Sequence, residues 1–196
     1  MAINLTFHGS KTINTLGIGV FDGVHQGHQA LLNHCDSLLT FNPHPATITQ
    51  QISTIKRLTT IEEMIYYVPN LISLEFNKTI QTLSAEEFLN TIILHHIKPK
   101  KVVIGYDYHF GKNRKGTPDY FQKWGKQNNI PVTIINPISH ENNIVKSRDI
   151  RATFESGQFN SAVTKLGHPY LIVGTVIKGD GRGKELGFPT ANITYP

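Results

Sequence analysis

Short apolar runs alternate along the chain with stretches whose apolar positions recur every three or four residues, so strands and helices are predicted to take turns. Residues 16–21 read as a first strand and 26–35 as a short helix. Residues 37–41 read as a second strand, stopped by Asn42-Pro43-His44-Pro45. Residues 62–68 look helical and 71–76 strand-like. Ser84-Ala85-Glu86-Glu87 has the form of a capping box, opening a helix whose apolar face carries Phe88, Ile92 and His95. Residues 101–104 are a buried-strand pattern ended by Gly105. A helix over 120–129, a strand over 132–135 and a helix over 148–156 closed by Gly157 follow. This alternation predicts an α/β protein with a parallel sheet and flanking helices.

After Leu166-Gly167-His168-Pro169 the texture changes. Residues 170–177 read as β structure, followed by a glycine-rich loop over 178–184 and by Gly187-Phe188-Pro189-Thr190-Ala191-Asn192. About thirty residues cannot bury a core of their own. The expected division is therefore one domain over 1–167 and the opening of a β domain over 168–196.

The composition, 39% hydrophobic and 17% charged over 196 residues, suits a soluble globular protein. No apolar run approaches a membrane span, and no signal-peptide pattern opens the sequence. Cys35 is the one cysteine, which excludes an internal disulfide and fits a reducing cytoplasm. A net charge of +5 favours anionic ligands. Apart from residues 98–101 and 112–115 the cations are scattered, so no nucleic-acid partner is expected.

The chemistry concentrates in Gly19-Val20-Phe21-Asp22-Gly23-Val24-His25-Gln26-Gly27-His28, where strand, glycine turn and helix meet. Histidines three residues apart share one face of the first helical turn. Unpaired backbone N–H groups and the positive helix end point the same way, which makes an anion site to which the imidazoles add donors. Gly27 has no side chain to hold a phosphate off the backbone. A zinc site would need three or four ligands, and His44, His95, His96 and His109 show no ligand spacing with this pair. The local chemistry indicates nucleotide phosphate.

In open α/β sheets, ligands bind beyond the carboxyl ends of the strands. Three distinctive loops fall there: the histidine turn, Asn42 to Pro45, and Gly105-Tyr106-Asp107-Tyr108-His109-Phe110-Gly111. Taken singly, the second reads as an ordinary proline turn and the third as core aromatics beside a turn. Together they offer His44 in a restricted geometry and an aromatic wall for a flat ligand.

In order along the chain, these segments resemble the bacterial bifunctional riboflavin kinase/FAD synthetases. Gly19 to His28 is similar to that family's version of the HxGH signature of nucleotidylyltransferases. Thr40-Phe41-Asn42-Pro43-His44-Pro45 resembles TFxPHP, Arg57-Leu58-Thr59-Thr60 resembles RLTT, and Leu83 to Phe88 resembles LSAEEF. Gly105 to Gly111 resembles GxDFxFG, and residues 179–192 resemble the opening of the kinase domain with its GFPTAN.

The resemblance implies a Rossmann-like HxGH fold that transfers AMP from ATP to FMN with Mg²⁺, giving FAD and pyrophosphate. By residue, it implies catalytic roles for His25, His28, Ser147 and Arg151. It implies ATP contacts from Gly19, Phe21, Asp22, Gly23, Gly27, Lys146 and Arg148. It implies flavin contacts from Phe41, Pro43, His44, Pro45, Asp107, Tyr108, Phe110 and Gly111. Thr190 and Asn192 match metal and phosphate positions of the kinase segment, whose remaining parts are absent, so no riboflavin kinase activity is expected of these residues.

The chain departs from the family pattern at three places. Residues 32–37 are shorter than usual. Met64 stands where Lys is usual. In Val145-Lys146-Ser147-Arg148-Asp149-Ile150-Arg151, Lys146 and Arg148 replace Ser and Thr of a segment similar to ISSTxIR. Two other readings stay open. One is transfer to another phosphorylated acceptor, such as pantetheine phosphate, nicotinamide mononucleotide or glycerol phosphate. The other is a non-catalytic binder of flavin or nucleotide.

Overall fold

Strands that are apolar on both faces can be buried only in the middle of a sheet covered on two sides, and that is how this chain arranges them. The computed structural model describes residues 3–10, 12–51, 55–68, 70–140 and 143–194. In chain order the elements are β1 (Leu5–His8), β2 (Thr15–Ile18), α1 (Gln26–Leu32), β3 (Ser37–Asn42), α2 (Pro45–Thr49), α3 (Ile61–Tyr67), β4 (Leu71–Glu75), α4 (Lys78–Thr82) and α5 (Ala85–Phe88, continued by a π-helix over Leu89–Ile97). Then come β5 (Lys101–Gly105), α6 (Pro118–Gln127), β6 (Val132–Ile135), β7 (Ser139–His140), β8 (Asn143–Ile144), α7 (Ser147–Glu155), α8 (Phe159–Leu166), β9 (Thr175–Ile177), α9 (Arg182–Glu185) and β10 (Asn192–Thr194).

Among the described residues the main sheet has six strands in the order β1-β4-β3-β2-β5-β6. Its strands are parallel except β1, which runs antiparallel along β4. The chain begins the parallel part at β2, builds outward through β3 and β4, then returns to the other side of β2 for β5 and β6. The order therefore reverses at β2, and a crevice opens at the carboxyl ends of β2, β3 and β5. Strand alternation divides the core between the two faces. Leu16, Ile18, Leu39, Phe41, Val102 and Ile104 pack with α5, its π-helical extension and α6 on one side. Leu38, Leu71 and Val103 meet Leu31 of α1 and Met64 of α3 on the other. Met64 is fully buried there, which gives an apolar side chain at this position its physical reason.

Several boundaries differ from expectation. β2 stops at Ile18, because Phe21 and Val24 take positive φ values of 54° and 42° and the chain turns out of the extended conformation. α1 ends at Leu32, since His34 and Cys35 N–H groups bond three residues back and tighten the last turn. The short return to β3 is pinned by Asp36, whose carboxylate accepts from the N–H groups of Asn14 and Thr15 at 3.3 and 3.0 Å. His95 is exposed rather than on the apolar face. Beyond Phe88 the helix widens to π geometry, and Leu89, Ile92, Ile93 and Ile97 are the buried positions. Of residues 170–177 only Thr175–Ile177 are strand, paired with β10. Pattern reading also missed β1, α2, α4, β7, β8, α8, α9 and β10. All of these except α8 are five residues or shorter, too short to show a period.

α7 and α8 form a hairpin that closes one end of the crevice. Ile150, Ala162 and Leu166 pack on Leu58 in a small separate core. Gln26 and Gln29 of α1 donate to the carbonyls of Thr164 and Leu166, both at 3.0 Å. No described residue after Leu166 is buried.

Candidate active site

The crevice encloses a cavity of about 1070 Å³. Its wall joins the turn after β2, the start of α2, the loop after β5 and the first residues of α7. Gly27 lines it between His25 and His28. Their rings stack with centroids 3.7 Å apart and planes 18° from parallel, and the Phe21 ring meets His28 edge-on. Gly27 is what permits this: a Cβ there would stand 3.2 Å from two atoms of the His25 ring. Nδ1 of each histidine is buried without a partner, and neither Nε2 has a hydrogen bond among the described residues. Because the residues line the cavity, Nε2 is the nitrogen each can offer a ligand.

Burial pushes the His25 imidazole down to about 4, assisted by the charge of His168 and opposed by the polarity of its own backbone. Burial and the neighbouring His25 hold His28 well below its ordinary value. Both rings are therefore neutral in the ligand-free protein near neutral pH, which is what lets them stack.

Asp22 does not line the cavity. It is 2% exposed, and Oδ1 accepts from the N–H groups of Leu58 and Thr59 at 2.8 and 3.2 Å. Oδ2 is ion-paired with Arg151 of α7. The Ser147 hydroxyl donates to the Asp22 carbonyl at 2.8 Å. This one residue thus joins the turn after β2, the segment before α3 and the start of α7. Gly23 lies beside it with φ of +85°, where a Cβ would stand 2.8 Å from Leu58. Asp22, Gly23, Pro43 and Arg151 all lie outside the cavity lining, whereas Lys146, Ser147 and Arg148 belong to it.

Part of the wall is aromatic. Phe41, Phe76, Phe88, Tyr108 and Phe110 line it, with Tyr108 and Phe110 stacked at 5.4 Å. The Tyr108 hydroxyl is buried without a partner, and burial pushes its titration far up. His44 caps α2, its Nδ1 accepting from the Ala46 N–H at 3.1 Å. Burial lowers its titration, with Asp22 opposing and Arg57 and Arg151 assisting. Gly111 has φ of +70° and touches the start of α5, where a Cβ would lie 2.6 Å from the Ala85 nitrogen. Asp107 also lines the cavity.

Sequence reading did not mark Lys112 and Arg114 as site residues, although both line the cavity from a short 3₁₀ turn. The basic run directly after Gly111 was the available sign. Four lysines and arginines (Lys112, Arg114, Lys146 and Arg148) thus face a cavity to which Asp107 contributes the one carboxylate among the described residues. The surroundings suit polyanions. No group of three or more metal-ligating side chains occurs among the described residues. A divalent cation such as Mg²⁺ would therefore depend on ligand phosphates for most of its coordination, as it commonly does. Thr190 and Asn192 are exposed and lie outside the cavity.

Residues 9–149 match the FAD synthetase family and residues 166–196 the riboflavin kinase family. The chain is 35% identical over 206 residues to a bifunctional riboflavin kinase/FMN adenylyltransferase of Buchnera aphidicola subsp. Schizaphis graminum, covering 95% of this chain and 66% of that protein. It is 33% identical to the protein of that description from Listeria monocytogenes, covering 91% of this chain and 61% of that one. For Escherichia coli K12 the identity is 30%, covering 91% and 62%. A crystal structure described as a macrolide-efflux protein from Streptococcus pneumoniae matches with a TM-score of 0.75 at 27% identity, covering 95% of this chain and 66% of that one. No helix among the described residues is long and apolar enough to cross a membrane.

Proposed function

Because the chain belongs to the FAD synthetase family, we propose that it transfers AMP from ATP to FMN, giving FAD and pyrophosphate. The observation that carries this reading is a single cavity lined by stacked imidazoles, by four cations and by a set of aromatic rings. Such a cavity suits a triphosphate and a flat phosphorylated acceptor side by side.

In the proposed reaction a phosphate oxygen of FMN forms a bond to the α-phosphorus. The bond from that phosphorus to the α,β-bridging oxygen breaks, and pyrophosphate departs. No protein nucleophile is needed, so catalysis rests on placement and on donors matched to charge growing on the departing oxygens. His25 and His28 donate from Nε2, and Lys146 and Arg148 stand where departing charge collects. Phe41, His44, Pro45, Tyr108 and Phe110 hold the flavin. Mg²⁺ when bound would neutralise phosphate charge, and the cavity residues offer it little beyond Asp107.

The test is to incubate the protein with FMN and Mg-ATP and follow FAD and pyrophosphate. Binding of FMN and ATP without FAD formation would instead identify a non-catalytic binder. Activity confined to other phosphorylated acceptors would move the substrate. The chain spans about two thirds of the length of the curated relatives it matches. For residues 166–196 we propose no riboflavin phosphorylation by this polypeptide alone, since no described residue after Leu166 is buried. FMN formed from riboflavin and ATP would overturn that.

A further inference from the structure

Arg151 and Ser147 stand four residues apart on one face of α7, and Ser147 lines the cavity. Arg151 therefore sits one helical turn behind the phosphate end, yet it is held by Asp22. Were it to turn to an incoming triphosphate, a carboxylate only 2% exposed would lose its one charged partner. An uncompensated buried charge is strongly unfavourable.

The residue beside this pair carries the opposite deficit. Arg57 directly precedes Leu58, whose N–H is already bonded to Asp22 Oδ1. Its Nη1 reaches Asn42 Oδ1 at 3.4 Å, but Nε and Nη2 are buried with no partner. Burial lowers the Arg57 titration, while the charges of Asp22 and Glu62 act to restore it. Around Asp22 there are thus two guanidinium groups and the His44 imidazole, and only one of the guanidiniums is paired.

We propose that Arg57 is a positioning residue for adenylyl transfer: it takes over the Asp22 carboxylate when Arg151 leaves for the triphosphate. The exchange satisfies the orphaned Arg57 nitrogens and the vacated carboxylate together. It makes recruitment of Arg151 nearly free of the charge-burial cost, and it needs no bond made or broken beyond hydrogen bonds. The inference rests on the adenylyltransferase reading but is read from ATP binding alone.

The experiment is a double-mutant cycle on ATP affinity, measured by calorimetry without FMN so that no turnover occurs. Arg57→Gln is expected to weaken ATP binding about tenfold, because Arg151 then leaves an unpaired carboxylate. Asp22→Asn keeps an oxygen for the Leu58 and Thr59 N–H groups but no longer needs a cation. In that background Arg57→Gln should change ATP affinity less than twofold. Residues coupled through a shared partner show this non-additivity. Arg57→Lys should restore part of the affinity. If Asp22→Asn does not fold, the Arg151→Gln background serves the same cycle, and there too the Arg57 effect should vanish. Equal losses in both backgrounds, no effect of Arg57→Gln, or no ATP binding by the parent chain would each overturn the proposal. A parent chain that binds ATP but forms no FAD would defeat the adenylyltransferase reading and leave the cycle interpretable.

Discussion

The imidazoles of His25 and His28 stack face to face at 3.7 Å, a separation that two charged rings would not tolerate. The pair is stable as neutral rings, and each keeps one nitrogen for a ligand.

His28→Ala should lower FAD formation by about two to three powers of ten, as removal of a single transition-state donor commonly does. Thermal unfolding should shift little, because His28 is half-buried at the cavity wall. Steady-state kinetics checks the prediction, and unchanged turnover would remove His28 from the reaction.

Burial of neutral histidine makes stability depend on pH. His25 titrates at about 4 in the fold, against 6.5 ordinarily. Between these values the unfolded chain binds more protons, so stability rises with pH. The contribution is fully present above pH 6.5 and is lost as pH falls towards 4. For His25 it amounts to about 3 kcal/mol, and His28 acts in the same direction. Urea unfolding across that interval should show falling midpoints, and His25→Gln should flatten the slope.

A triphosphate beside these rings favours the charged form of one of them, so binding should take up protons. ATP affinity should then strengthen as pH falls from neutrality, until unfolding intervenes. Calorimetry in buffers of different ionisation enthalpy measures the uptake directly. Zero uptake would mean that the rings stay neutral in the complex.

Gly27→Ala separates folding from function. The substitution raises helix propensity by roughly 1 kcal/mol, but its Cβ would press on the His25 ring from 3.2 Å. Stability should therefore change by less than about 1 kcal/mol while ATP affinity falls clearly, because the stacked pair must shift. Unaltered affinity would show that the ring geometry is not critical.

Most of the parallel sheet was legible, because strands buried on both faces leave unbroken apolar runs, as at residues 37–41 and 101–104. The capping box at Ser84 was legible for a local reason: its two hydrogen bonds, Glu87 N–H to Ser84 and Ser84 N–H to Glu87, lie within four residues. The π-helix beyond it was not, since nothing in Leu89–Ile97 by itself selects the wider turn that exposes His95. The cation pair at Lys112 and Arg114 was visible as a basic run but had no address until the loop after β5 folded over the cavity.

Arg151 and Asp22 show where the division falls. The sequence by itself determined the α/β class, the three loops at the strand ends and the two histidines at the start of a helix, since each depends on spacing within a few residues. Only the tertiary structure decided that Asp22 is a buried joint outside the cavity lining, and that Arg151 is paired with it there. These partners are 129 residues apart in the chain. A pairing over that distance is fixed by the reversal of strand order at β2 and by the seating of α7 on the turn after it. No local pattern of apolar and polar residues records either.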